Sequence, residues 1–204
     1  MTSPTAPPPS ESVHRVGDDT WTVTTLPNGA PGWEQREAEL ADAGTQLALQ
    51  HRSVWAELGS APERFFVAVR SAAGCPGWGF AVAVHPSRAL PGHHVWRIER
   101  AGGVRNEGAA HAGLRALADL ARQDRSVLRV DLEILSRDDA VRARLGRAAR
   151  GAGFRARPGC RCYAHTVAID LRPPEPEIFR SLHRMARRNV EAIEKLPVAV
   201  RAIA

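Results

Sequence analysis

The feature that most constrains the fold is a change of hydrophobic period in the middle of the chain. Residues 65–69 and 79–85 are short apolar runs, and between them lies a connection rich in Gly, Ala and Pro. That pattern predicts two strands of a hairpin. Residues 94–100 form a third strand candidate. Ala110, Leu114, Leu117 and Ala121 then recur at helical spacing and define one apolar face of a helix over 109–123. Residues 127–135 alternate again. Leu128, Val130, Leu132 and Ile134 point one way, and Arg129, Asp131 and Glu133 the other. A second helix over 138–150 is Arg-rich on its outer side, and Gly151-Ala152-Gly153 ends it. Strands alternating with helices predict an α/β fold, a sheet with helices packed on its faces.

The flanks read differently. Residues 1–20 are rich in Pro and polar groups, with two valines as the only sizeable apolar side chains. Such a stretch buries too little surface to offset its ordering entropy, which predicts a disordered tail. Residues 21–25 alternate like a strand, 26–32 read as a loop, and 33–58 as one or two helices broken near Ala43-Gly44. At the other end, 165–171 form a strand pattern. Pro173-Pro174-Glu175-Pro176 breaks it and pre-sets a helix over 177–196, with Glu175 and Glu177 at its positive end. Val198-Ala199-Val200 begins another strand, whose edge calls for a partner. The expected organisation is a tail (1–20), a main module (21–162) and the opening elements of a second, truncated module (163–204).

Composition excludes several classes. No run of about 18 uncharged apolar residues is present, so no helix is expected to span a bilayer. The N-terminus has no signal-peptide core, and three cysteines do not make a disulfide framework. A reducing cytoplasm is the expected location. A net charge of +6 and a pI near 10.4 favour an anionic partner without naming one. There is no Gly-x-Ser-x-Gly, no Walker loop and no His-Glu-x-x-His, which removes support for serine hydrolases, P-loop enzymes and zincins. Cys160-Arg161-Cys162 and His93-His94 have no second ligand pair at zinc spacing, so no metal is expected.

The order of these features resembles a known family. Gln50-His51-Arg52-Ser53-Val54-Trp55, Arg100-Ala101-Gly102-Gly103-Val104, Leu128-Arg129-Val130-Asp131 and Gly153-Phe154 each resemble segments of the FemABX-type peptidoglycan aminoacyltransferases. The most specific segments are Thr166-Val167-Ala168-Ile169-Asp170-Leu171 and the helix carrying Arg184, Arg187, Arg188, Asn189, Val190, Ala192 and Lys195. The resemblance spans about residues 47–200. Gly103 departs from the family's Pro in the loop, and most of the second module lies outside the resemblance. The family is built from tandem acyltransferase modules of the GNAT fold. The resemblance therefore implies a GNAT-like mixed sheet flanked by helices, with the first strand-helix-strand of a second such module at the C-terminal end. It implies transfer of an aminoacyl group from aminoacyl-tRNA to an amine of a lipid-linked or nucleotide-linked peptidoglycan precursor. No bound cofactor is then required. The alternatives are an N-acetyltransferase using acyl-CoA, and a non-catalytic half-module that binds an anionic partner or self-associates through its C-terminal strand. Peripheral membrane contact fits the precursor's location.

Three groups of residues are candidates for the site. Arg180, Arg184, Arg187 and Arg188 gather four guanidiniums within nine residues that hold no acid. They would bind phosphate bidentately, or simply form a solvated basic face. Arg105-Asn106-Glu107-Gly108-Ala109-Ala110 fits the Arg/Gln-x-x-Gly-x-Gly/Ala shape that cradles the coenzyme A pyrophosphate in GNAT enzymes, with Arg105 and Gly108 as phosphate contacts. A plain loop and helix start is the competing and simpler reading of the same residues, and Glu107 puts a negative charge where phosphate would sit. Asp131 and Glu133 share one face of a strand, about 6.6–6.8 Å apart. They are the candidate catalytic carboxylates for an attacking amine, against a half-exposed strand on which Arg129 pairs with one of them.

Overall fold

The apolar runs of the middle region become the centre of a six-stranded sheet. In chain order the elements of the first unit are β1 (Ser10–Val16), β2 (Asp19–Pro27), α1 (Trp33–Asp42), a 3-10 turn (Leu49–His51), α2 (Ser53–Ala56), β3 (Glu63–Ser71), β4 (Pro76–Pro86), β5 (His94–Ala101), α3 (Glu107–Gln123), β6 (Val127–Ile134) and α4 (Asp139–Gly151). The strands lie in the sheet in their order along the chain. The first four pairings are antiparallel; β5 and β6 are parallel, because α3 carries the chain back between them. This is the mixed sheet flanked by helices that the sequence predicts. The computed structural model describes residues 6–29, 32–56, 63–157 and 172–193, and the chain divides into two compact units, Met1–Ala156 and Arg157–Ala204.

Period-2 alternation decides what each face of the sheet carries. Phe65, Val67, Val69, Trp78, Phe80, Val82, Trp96 and Ile98 face α3 and α4 and form the main core with Leu114, Leu117 and Leu145. Besides Leu114 and Leu117, the buried side of α3 is built from Ala and Gly. A Cβ on Gly113 would stand 2.9 Å from Val69 Cγ2 and 3.3 Å from Phe80 Cε1, so the helix lies as close to the sheet as a bare backbone permits. The opposite face carries Phe66, Ala68 and Ala81 under α1. There Trp33 stacks on Phe66 at 4.3 Å and donates its indole N–H to the His51 carbonyl at 3.1 Å.

The N-terminal segment differs from expectation. Residues 10–20 are not a disordered tail: β1 pairs along its whole length with β2, through a tight turn at Gly17 (φ +62°) and Asp18. The strand's contribution is its backbone ladder, since Val13 is exposed; low apolar content conceals a strand of that kind. The helical region after Trp33 breaks where expected: α1 ends at Asp42, Ala43 caps it and Gly44 follows at φ +72°. Leu128 does not join the inward set of β6. It sits at a register shift between His94/Val127 and Val95/Arg129 and is exposed.

In the second unit the predicted single helix is two, α5 (Glu175–Ser181) and α6 (Arg184–Ile193). Leu182 is extended (φ −68°, ψ 145°), and the Ser181 hydroxyl donates to the Ile178 carbonyl at 2.6 Å, which closes α5. The predicted strands at 165–171 and 198–200, with Cys160, Cys162, Ile169 and Lys195, lie outside the described residues.

Candidate functional site

The β4–β5 ladder runs only from Ala83/Arg97 to Pro86/His94. Past Ala83 the Ala81 N–H donates instead to His51 Nδ1 at 3.0 Å. His51, at the end of the 3-10 turn, is 2% exposed, and burial lowers its pKa to about 4. It is therefore neutral near pH 7, and with Nδ1 accepting, Nε2 carries the proton. That N–H is buried, and the Arg100 backbone carbonyl is its partner.

The neighbouring strand is distorted at the same level. Ile98 pairs with Leu132 and Ala101 with Ile134, so Glu99 and Arg100 together oppose Glu133. This is a β-bulge, and Arg100 takes φ +55°, a sparsely populated conformation for a residue with a side chain. Bulges of this kind re-aim side chains and cluster at functional sites. Glu99 is half-buried on the sheet face away from α3. The Arg64 guanidinium reaches the same face from β3. It is 4% exposed and donates through Nη1 to the Gln50 carbonyl at 3.1 Å. Burial lowers its pKa, and the Glu99 charge works in the opposite direction. Ala81 and Ala83 of β4 lie on the same face, and both are buried.

The loop from β5 to α3 closes one end of this region and is pinned throughout. Trp78 Nε1 donates to the Gly102 carbonyl at 3.0 Å, Arg144 Nη1 to the Val104 carbonyl at 2.8 Å and Arg105 Nη2 to the Gly44 carbonyl at 2.8 Å. Gly103 has φ +67°, and a Cβ there would stand 2.7 Å from the Gln46 carbonyl oxygen. Asn106 caps α3: its Oδ1 accepts from the N–H groups of Gly108 at 2.7 Å and Ala109 at 3.2 Å. Glu107 is held by Arg147 through Nε and Nη2, which keeps its carboxyl below the usual range.

No family model matches the chain, and no curated protein does. Among solved structures it is similar to a presumed acetyl transferase from Pyrococcus furiosus, at 15% identity and a TM-score of 0.41, over 69% of this chain and 98% of that one. A likeness of that degree carries no residue-level correspondence.

The residues predicted from sequence fall in three places. Asp131 and Glu133 do share a face of β6. Asp131 is paired: Arg129 Nε lies 3.1 Å from Oδ1, and Arg97 Nε 3.8 Å from Oδ2. Arg105 and Gly108 stand at the start of α3, but the N–H groups offered there are taken up by Asn106. Arg184, Arg187 and Arg188 lie on α6 in the second unit, with Arg184 and Arg188 exposed. Sequence reasoning missed Glu99, Arg64, Arg97 and His51. The available signal was parity: Arg97 and Glu99 on β5 alternate with Trp96 and Ile98, and so face the same side as Asp131. Among the described residues no His/Cys/Asp/Glu cluster could hold a metal ion, and no helix is long and apolar enough to cross a membrane.

Proposed function

We propose that the chain is an acyltransferase in which an amine attacks an activated acyl ester beside the Glu99 bulge. The observation that carries this reading is the distortion of β5 at Glu99–Arg100. It sets a carboxylate next to the buried Arg64, over a sheet face lined by alanines. The amine nitrogen forms a bond to the ester carbonyl carbon, the ester C–O bond breaks, the amine proton passes to Glu99, and Glu99 returns it to the leaving alkoxide. No side-chain nucleophile is invoked; the rate comes from orientation and proton acceptance.

The donor in this reading is aminoacyl-tRNA, as the FemABX resemblance implies. Two features support it over acyl-CoA. The N–H groups of Gly108 and Ala109, which a CoA pyrophosphate would use, are occupied by the α3 cap. The arginines of α6 offer charge to a polyanion. The acceptor is an amine of a peptidoglycan precursor, again from the resemblance.

The test is transfer of labelled amino acid from aminoacyl-tRNA to a muropeptide precursor by the whole chain. Glu99→Gln is expected to slow it about 10²–10⁴-fold, the usual worth of a general base. Arg184→Gln with Arg188→Gln is expected to flatten the salt dependence of tRNA binding. Transfer from acyl-CoA with none from aminoacyl-tRNA, or an unaffected Glu99→Gln variant, overturns the reading.

A further inference from the structure

The acyl-transfer site leaves the outer side of α4 unused. Residues 137–156 carry six arginines against two acids, Asp138 and Asp139. That excess of four positive charges compares with +6 for the whole chain. Leu145, Ala148 and Ala149 turn inward to the core, so the arginines of α4 fall on the other side of the helix. Arg137, Arg142, Arg147, Arg150 and Arg155 are exposed, and Arg144 is half-buried. Three of the six are engaged: Arg142 with Asp139, Arg147 with Glu107, and Arg144 with the Val104 carbonyl. Arg137, Arg150 and Arg155 have no ion pair and no side-chain hydrogen bond among the described residues. Arg150, in the last turn of α4, complements the helix dipole; Arg137 and Arg155 lie outside the helix and have no such role.

The residues between these arginines say what kind of anion fits. Ala140, Ala143 and Gly151 are exposed, and a Cβ on Gly146 would meet only the Arg150 guanidinium, at 3.7 Å. A rod-shaped partner can therefore lie close along the helix. None of the large exposed apolar side chains is on α4, so this face has nothing to insert into a bilayer. Its nearest aromatic in the chain, Phe154, packs against the core, so no ring is offered for a single strand's bases to stack on. What remains is a row of guanidinium forks, which suit phosphate oxygens. Arg142 and Arg150 are two turns apart, about 12 Å along the axis. A duplex presents several phosphates over that length, at roughly one charge per 1.7 Å of axis in double-stranded DNA. We propose that the outer face of α4, with Arg137 and Arg155 at its two ends, binds the phosphate backbone of a nucleic-acid duplex, an RNA stem. The choice of RNA rests on the acyl-transfer reading, in which the stem belongs to the donor; the surface itself does not.

The experiment is a titration of a labelled RNA hairpin, carrying no amino acid, with the whole chain at several salt concentrations, followed by fluorescence anisotropy. Arg150→Gln with Arg155→Gln is expected to lower the slope of log K against log salt by about 2, close to one per lost phosphate contact. Both side chains are exposed and unpaired, so the fold is expected to be retained, with near-ultraviolet circular dichroism as the check. Arg15→Gln removes an exposed charge from β1, at the opposite edge of the sheet from β6, and is expected to leave the slope unchanged. No binding of the hairpin at low salt, an unchanged slope in the double variant, or a loss per charge as large in Arg15→Gln overturns the surface. So does binding of an unpaired RNA of equal length, or of phosphatidylglycerol vesicles, that is as tight and as sensitive to the double variant. A DNA duplex bound more tightly than the hairpin overturns the assignment to RNA. The expected slopes with no transfer from aminoacyl-tRNA support the surface and overturn the acyl-transfer reading instead.

Discussion

At the scale of single residues, His51 shows how one side chain can replace a length of β-ladder. Its ring takes the Ala81 N–H that a strand partner would take, and it does so in the neutral form. Between pH 6.5 and about 4 the unfolded chain binds a proton at this imidazole and the folded chain does not. Stability therefore rises with pH through that window, and about 3 kcal/mol present at pH 7 is lost by pH 4. Urea unfolding at pH 7, 6, 5 and 4.5 should show this slope, and His51→Gln should remove it. Gly113 makes the opposite point, a residue that matters because it has no side chain. Gly113→Ala should destabilise, since overpacking costs about 1–3 kcal/mol and exceeds the roughly 1 kcal/mol gained in helix propensity. A shift of the urea midpoint without a change in slope would be the signature. Neither residue advertises itself in the sequence. A histidine in Gln50-His51-Arg52 and a glycine within a helix acquire meaning only from what the fold brings against them.

At the scale of elements, what can be read depends on whether a pattern is local. The amphipathic faces of α3 and α4, the β3–β4 hairpin and the alternation of β6 follow from spacing alone and appear within a few residues of their expected bounds. β1 could not be read that way, because an edge strand of Ser, Glu, Val and His is held by its pairing with β2. The break between α5 and α6 was also hidden, since helical periodicity continues across Leu182. The candidate site follows the same rule. Asp131 and Glu133 were visible as a same-face pair, whereas Arg64, Arg97 and Glu99 meet only through the register of β3, β4 and β5. The α3 cap was legible as a loop before a helix, but its chemistry was not. Asn106→Ala should cost about 1 kcal/mol by thermal or urea unfolding, and it should free the Gly108 and Ala109 N–H groups. A gain in inorganic phosphate affinity in that variant would show that the cap is what closes the helix end to anions.

At the scale of the whole molecule, the first unit contains the sheet, both faces of its core and the helices that cover them. A chain ending at Ala156 should therefore fold by itself. Trp33, Trp78 and Trp96 are buried in that unit, so retained near-ultraviolet circular dichroism and a cooperative urea transition would be the expected outcome. A non-cooperative transition would mean that the core needs later residues. Each strand of this sheet lies beside the one that precedes it in the chain. A ribosome delivering the polypeptide from its N-terminus thus supplies every new strand with a docking edge already in place, and the growing sheet never has to wait for a distant partner before its next backbone donors are satisfied.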